Sequence, residues 1–191
     1  MKKLLISLLA LGHVMAMQAM DPKMYRELEA MHLTSHRRVV PFDETTHGAK
    51  ARSIFWKSFQ ISPPYLSPED RVSAFIPESL RRTVDVLLLN KDVIGVIAYY
   101  DREENDGTAT RLLDRLTIDE AHRGKPAYHG EFLVQKFEKK TLNEGITNIE
   151  LVSYEKSLNF YKRLGYEQTS RHYDMIKTLT PTSDEKQEEY S

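Results

Sequence analysis

No part of this chain constrains its fold more than the stretch from Leu116 to Tyr166. It opens on the strand-like run Leu116-Thr117-Ile118, turns through Arg123-Gly124-Lys125, and enters a helical pattern near Gly130. Phe132, Leu133 and Phe137 share one face of that helix, while Glu138, Lys139 and Lys140 are left for solvent. Gly145 closes the region, residues 147–153 read as the next strand, and residues 155–164 as the next helix. Lys162 and Arg163 suit the negative pole of that second helix, and Gly165 can take the left-handed conformation that stops it. Strand, helix, strand, helix in this order calls for a sheet with helices packed against it.

The remaining chain supplies more strands. Val39-Val40-Pro41-Phe42 predicts a short one, and Thr45 or Thr46 can cap a helix that buries Ala51, Ile54, Phe55 and Phe59. Ser62-Pro63-Pro64-Tyr65 is a loop by composition. Ser67-Pro68-Glu69-Asp70 carries the signature of a capped helix start. Two apolar, β-branched runs, 83–89 and 93–100, flank Asn90-Lys91-Asp92 and predict a β-hairpin. A charged turn is expected from Asp101 to Gly107, without the alternating ligands of a calcium-binding loop. Further strands are expected at about 109–118 and within 172–179. The order β-α-α-β-β-β-α-β-α-β predicts one mixed-sheet α/β (α+β) domain over residues 39–179, with six to seven strands and about four helices.

Charge and cysteine usage narrow the function classes. The formal net charge is −1, which argues against nucleic acid as the main partner, since phosphate backbones select a basic footprint. The chain has 7 histidines and no cysteine, which excludes disulfides, thiolate zinc sites and a cysteine nucleophile. His32 and His36 have helical spacing but no third ligand nearby, so no metal site is expected. At the N-terminus Met1-Lys2-Lys3 precedes the apolar run Leu4–Leu11, with small residues at Ala16 and Ala19. That is the layout of a secretory signal peptide covering residues 1–19, cleaved after Ala16 or Ala19, and it predicts a periplasmic or secreted protein. The run falls short of the roughly 20 residues that span a bilayer, so no membrane span is expected after cleavage. An uncleaved segment on a cytoplasmic protein is the alternative. Residues 20–38 read as a linker, and residues 180–191 as a disordered acidic tail.

The basic turn is the first candidate for chemistry. A helix N-terminus offers unpaired N–H groups and partial positive charge, which suit a phosphate, and Arg123-Gly124-Lys125 leads into one. On its own this tripeptide reads as a solvated loop, because a basic turn with one glycine occurs in many proteins. With its surroundings it resembles the GNAT-type N-acetyltransferase superfamily. The resemblance rests on the strand ending in Ile118-Asp119-Glu120-Ala121-His122-Arg123-Gly124-Lys125, the Phe132-Leu133 helix, and Asn159-Phe160-Tyr161 followed by Leu164-Gly165-Tyr166. Gly95, among apolar strand residues, also matches the family's third strand.

The resemblance implies an α+β domain whose strands splay at a cofactor cleft, and acetyl transfer from acetyl-CoA to an amine of a small molecule or protein. It implies that the backbone at Leu116, Thr117 and Ile118 pairs with the pantetheine arm and polarises the thioester carbonyl. Arg123, Gly124, Lys125 and the residues up to Gly130 match the pyrophosphate turn. Tyr161 matches the general acid for the departing thiolate, and Glu150 stands where a general base often lies. Trp56 and Tyr65 are candidates for the acceptor side. The sequence departs from the family at Pro126, where a second glycine is usual, and at Tyr128 and His129, which lengthen the turn. Tyr154 and Ser157 replace the usual Asn and Ala. A non-catalytic binding module or exported effector on the same fold is the second reading.

Overall fold

The computed structural model describes residues 36–58, 82–124, 127–171 and 173–181. The signal-like segment, nearly all of the predicted linker and acidic tail, the helix start at Ser67, and Tyr65, Lys125 and Pro126 lie outside them.

Seven strands form one mixed sheet: β1 (Arg37–Pro41), β2 (Thr83–Leu89), β3 (Asp92–Glu103), β4 (Ala109–Ile118), β5 (Asn148–Val152), β6 (Glu167–Gln168) and β7 (Asp174–Thr178). Their order across the sheet is β1-β2-β3-β4-β5-β7-β6. Among the described residues three α-helices accompany it: α1 (Glu44–Ser58), α2 (His129–Asn143) and α3 (Leu158–Arg163). Among the described residues only β4 and β5 pair in parallel; every other pair is antiparallel. The parallel pair is joined through α2, as a crossover connection requires.

β2 and β3 are apolar on both faces because both faces are covered. On one face, Ala51, Ile54 and Phe55 of α1 pack on Val84, Val86, Leu88, Val96 and Ala98. On the other, Leu133, Val134 and Phe137 of α2 meet Leu87, Ile97, Tyr99, Leu113 and Ile149. The β2–β3 hairpin turns through Asn90 (φ 52°) and Lys91 (φ 80°), the left-handed pair that matches the twist of a two-residue hairpin.

Some elements differ from the sequence expectation. α1 is capped by Asp43, not by Thr45 or Thr46: the Asp43 carboxylate accepts from both the N–H and the hydroxyl of Thr46, each at 2.8 Å. β3 runs through Glu103, into the expected charged turn, because its outer residues find partners across the sheet. Asp101 pairs with Arg111 at 2.7 Å, and Arg102 with Glu150 at 3.0 Å. The helix expected over 155–164 is a 3-10 turn, Glu155–Ser157, followed by α3. β6 is too short to have been read from the sequence.

Candidate functional site

The cleft begins with the backbone of β4. Its first half pairs with β5 from Thr110↔Asn148 to Leu113↔Leu151, and there the parallel pairing stops. Residues 115–118 go on pairing with β3 alone. At the break, Tyr99↔Leu113 is followed by Ala98↔Arg115, so Asp114 is an extra residue without a β3 partner. Such a bulge bends its strand and strengthens the local twist, turning β4 away from β5. A cavity of about 770 Å³ opens in the gap. Residues 113–118 line one wall and Leu151, Val152, Ser153 and Tyr154 the other. Beyond Leu113 the β4 edge facing this gap has no strand against it among the described residues, and its polar groups are available to an extended ligand.

The turn before α2 closes one end. Gly124 (φ 85°) and Tyr128 (φ 46°) are both left-handed, which aims the first turn of α2 at the cleft. Tyr128 makes no side-chain cap, so the first N–H groups of this 15-residue helix keep their unpaired character. Gly130 lines the cleft; a Cβ there would meet the Phe160 ring at 3.5 Å and narrow the approach to the helix. His129 also lines it. Its side chain is buried, and its Nδ1 has no hydrogen-bond partner among the described residues. Burial, followed by the charges of Arg37 and His122, lowers its pKa below the ordinary 6.5, so the imidazole is neutral near pH 7. From β1, Arg37 donates to the Ala127 carbonyl at 2.8 Å and stacks 3.8 Å over Phe132, bracing this turn from behind.

Leu116, Thr117, Ile118, Arg123, Gly124 and Gly130 all line the cleft, as does Tyr161. The guanidinium of Arg123 is engaged at the strand end: Nε donates to the Ile118 carbonyl and Nη2 to the Ser58 hydroxyl, both at 2.8 Å. Ser58 is also hydrogen-bonded to Thr117, and Lys50 pairs with Asp119 at 2.6 Å. The end of α1 is thereby tied to the end of β4. Ser58 does not stand out in the sequence, since it gains its place from residues far away in the chain, and His129 is marked there only as part of a lengthened turn. Trp56 lies in α1 but its side chain, like Tyr65 and Lys125, is outside the described residues.

Tyr161 sits in α3 against Phe160 and Tyr166, ring centroids 5.0 and 5.5 Å away. Burial pushes its phenol above the ordinary value of 10, so it keeps its proton throughout the physiological range. Glu150 is elsewhere. It lines a second cavity of about 520 Å³ with Tyr100, Leu112 and Arg102. The register places Tyr100, Leu112, Glu150 and Ile176 in one row across the sheet. By strand alternation this is the face on which α1 packs, since Val96, Ala98 and Tyr100 point the same way. The two cavities share Leu113, Asp114, Arg115, Leu151 and Val152. Tyr161 and Glu150 therefore approach one opening in the sheet from two cavities.

The exposed apolar surface falls in the same place. Among the described residues the large hydrophobics left exposed are Tyr128, Val152, Tyr154 and Tyr173, and all of them line the larger cavity. Exposed apolar groups gathered on a cleft, rather than scattered, mark a surface that takes a ligand.

Comparison with known proteins agrees with this geometry. Residues 49–166 match the family model described as "Acetyltransferase (GNAT) family". No curated protein matches the sequence significantly. Among solved structures, a GNAT family acetyltransferase from Brucella melitensis in complex with acetyl-CoA is 15% identical, with a TM-score of 0.59 over 76% of this chain and 90% of that one. The PaiA N-acetyltransferase of Thermoplasma acidophilum in complex with coenzyme A is 15% identical, with a TM-score of 0.55 over 75% and 99%. An acetyltransferase from Streptococcus agalactiae is 19% identical, with a TM-score of 0.57 over 75% and 99%.

Proposed function

The chain belongs to the acetyltransferase (GNAT) family, and on that premise we propose that it transfers an acetyl group from acetyl-CoA to a primary amine of a small molecule or protein by direct attack. One observation carries this reading: the sheet opens where β4 leaves β5, and two cavities meet at that opening. A donor in one cavity and an acceptor in the other would meet there without a covalent enzyme intermediate.

The residues present suit acetyl-CoA. Among the described residues the β4 edge is unpaired and can take an amide-bearing arm, the start of α2 suits its phosphates, and the buried Nδ1 of His129 lacks a partner that a polar ligand could supply. Acetyl-CoA supplies an activated carbonyl carrying a thiol leaving group. The chain positions it: the β4 backbone near Leu116 to Ile118 stabilises negative charge developing on the carbonyl oxygen. Glu150, in the second cavity, takes the proton lost by the amine, directly or through water, as the C–N bond forms. The Tyr161 hydroxyl gives its proton to sulfur as the C–S bond breaks. The raised pKa keeps the phenol protonated before the reaction.

We also read Met1–Ala19 as an export signal, so that the enzyme would act where the compartment it reaches contains acetyl-CoA. The mature N-terminus, located by mass spectrometry at Met17 or Met20, would support this; an intact Met1 would refute it. The activity is tested by titrating acetyl-CoA in a thermal-shift assay and then offering a panel of amines. Stabilisation with transfer supports the proposal. Stabilisation without transfer to any amine or protein leaves a binding module, and no stabilisation at millimolar acetyl-CoA refutes donor binding.

A further inference from the structure

The second cavity has a charge arrangement that specifies more than an amine. Three guanidinium groups line it beside the carboxylates of Asp114, Glu150 and Asp174, and they are held to different degrees. Arg102 is engaged by Glu104 at 2.7 Å and Glu150 at 3.0 Å. Arg115 bonds the Asp114 carbonyl at 2.8 Å and its carboxylate at 3.1 Å. Arg171 reaches Asp174 only at 3.9 Å, with 86% of its side chain exposed. Its backbone is nevertheless fixed: its N–H donates to Thr169 Oγ1 at 3.2 Å and its carbonyl accepts from Asp174 at 3.1 Å. A loosely paired guanidinium on an anchored turn, at the lip of a cavity, is suited to capture an anion in a fork of N–H donors.

Register places the two residues relative to one another. Asp174 pairs with Val152, two positions beyond Glu150 on β5, and Arg171 stands one turn before Asp174, so Arg171 and Glu150 line different parts of one cavity. The geometry points to an acceptor amine that itself carries an anionic group a few bonds away, a carboxylate or a phosphate, with Glu150 facing its nitrogen and Arg171 its anion. This rests on the acetyl-transfer reading above. Half-buried Tyr100 and Leu112 and the exposed Val152, all lining the same cavity, offer apolar surface to the carbon skeleton between the two charges.

Matched pairs of small amines test it. β-Alanine against propylamine isolates the carboxylate, and O-phosphoethanolamine against ethanolamine isolates the phosphate. Binding to the coenzyme A-loaded protein is read by ligand-observed NMR, and acetylation by steady-state kinetics, for the wild type and Arg171→Ala. At least one anionic probe should bind roughly three- to tenfold more tightly than its neutral mate, and Arg171→Ala should collapse that ratio, raising KM more than it lowers kcat. The pair that discriminates identifies the anion. Equal or better binding of both neutral mates, no binding of either anionic probe, or a ratio untouched by Arg171→Ala would overturn the inference. If anionic amines bind through Arg171 but none is acetylated, the acetyl-transfer reading fails and the site stands. If neutral amines are the better substrates, the reverse holds.

Discussion

The two halves of β4 belong to one strand and behave oppositely. The first half lies between β3 and β5, and its charges are matched. Arg111 is buried there, and although burial works against its charge, the carboxylates of Asp101 (2.7 Å) and Glu144 (2.6 Å) outweigh it and hold its pKa raised. It also lies 4.8 Å over the ring of Tyr99, whose hydroxyl donates to buried Asp85 at 2.9 Å. Lys140 of α2 reaches the same carboxylate at 2.9 Å. Beyond the bulge at Asp114 the second half has, among the described residues, a strand partner on one side only, and the cleft on the other. Nearby, Nδ1 of His129 is buried without a partner among the described residues. Folding has satisfied the polar groups of the closed half and left the open half incomplete, so a ligand that completes it gains hydrogen bonds that water would otherwise make.

Substitutions should separate the halves. The largest effect belongs to the open one: Tyr161→Phe should lower kcat by roughly 10- to 10³-fold while the melting temperature stays close to wild type. Steady-state kinetics check this, and full turnover in the variant would remove Tyr161 from the acid role. In the wild type the raised phenol pKa means no loss of kcat from this group as pH rises until beyond the ordinary tyrosine value of 10. In the closed half, Arg111→Met should cost stability, by about 2 kcal/mol in chemical denaturation, since Asp101 and Glu144 stay partly solvated once their partner is gone. Acetyl-CoA affinity should hardly move; a large loss there would mean that the halves are coupled.

Gly95→Ala probes the junction. A Cβ there would come within 2.7 Å of Ile118 Cδ1 and 3.3 Å of both Leu87 Cβ and the Thr117 carbonyl, so Ile118 must shift. About 1–2 kcal/mol of destabilisation is expected, together with weaker acetyl-CoA binding, measurable by denaturation and calorimetry. The smallest effect concerns His129. Its folded pKa lies below the unfolded value near 6.5, so its contribution to stability is complete above that pH and is lost as pH falls through the folded value. Between pH 7 and pH 5 the wild-type melting temperature should drop more steeply than that of His129→Gln.

The closed half was the more legible in the sequence. The β2–β3 hairpin announced itself through β-branched runs around Asn90-Lys91, and α2 through the spacing of Phe132, Leu133 and Phe137. These signals are local. The cleft residues Leu116, Thr117, Ile118, Arg123, Gly124, Gly130 and Tyr161 came from resemblance to a family pattern, and the structure gathers them into one cavity. Ser58 could not be found that way, because its bonds to Thr117 and Arg123 join elements that only the folded chain brings together. The extension of β3 through Glu103 was hidden for the same reason: Asp101 and Arg102 look like turn residues until Arg111 and Glu150 stand beside them. The bulge at Asp114 had no sequence mark, yet it is what opens the sheet.

Amide hydrogen exchange across β4, with and without acetyl-CoA, tests the central claim most directly. The cleft-facing amides of residues 114–118 should gain protection when acetyl-CoA binds, together with those of the first turn of α2, while residues 109–113 remain as protected as before. Protection confined to other strands, or none at saturating acetyl-CoA, would contradict the assignment of the open half of β4 as the donor site.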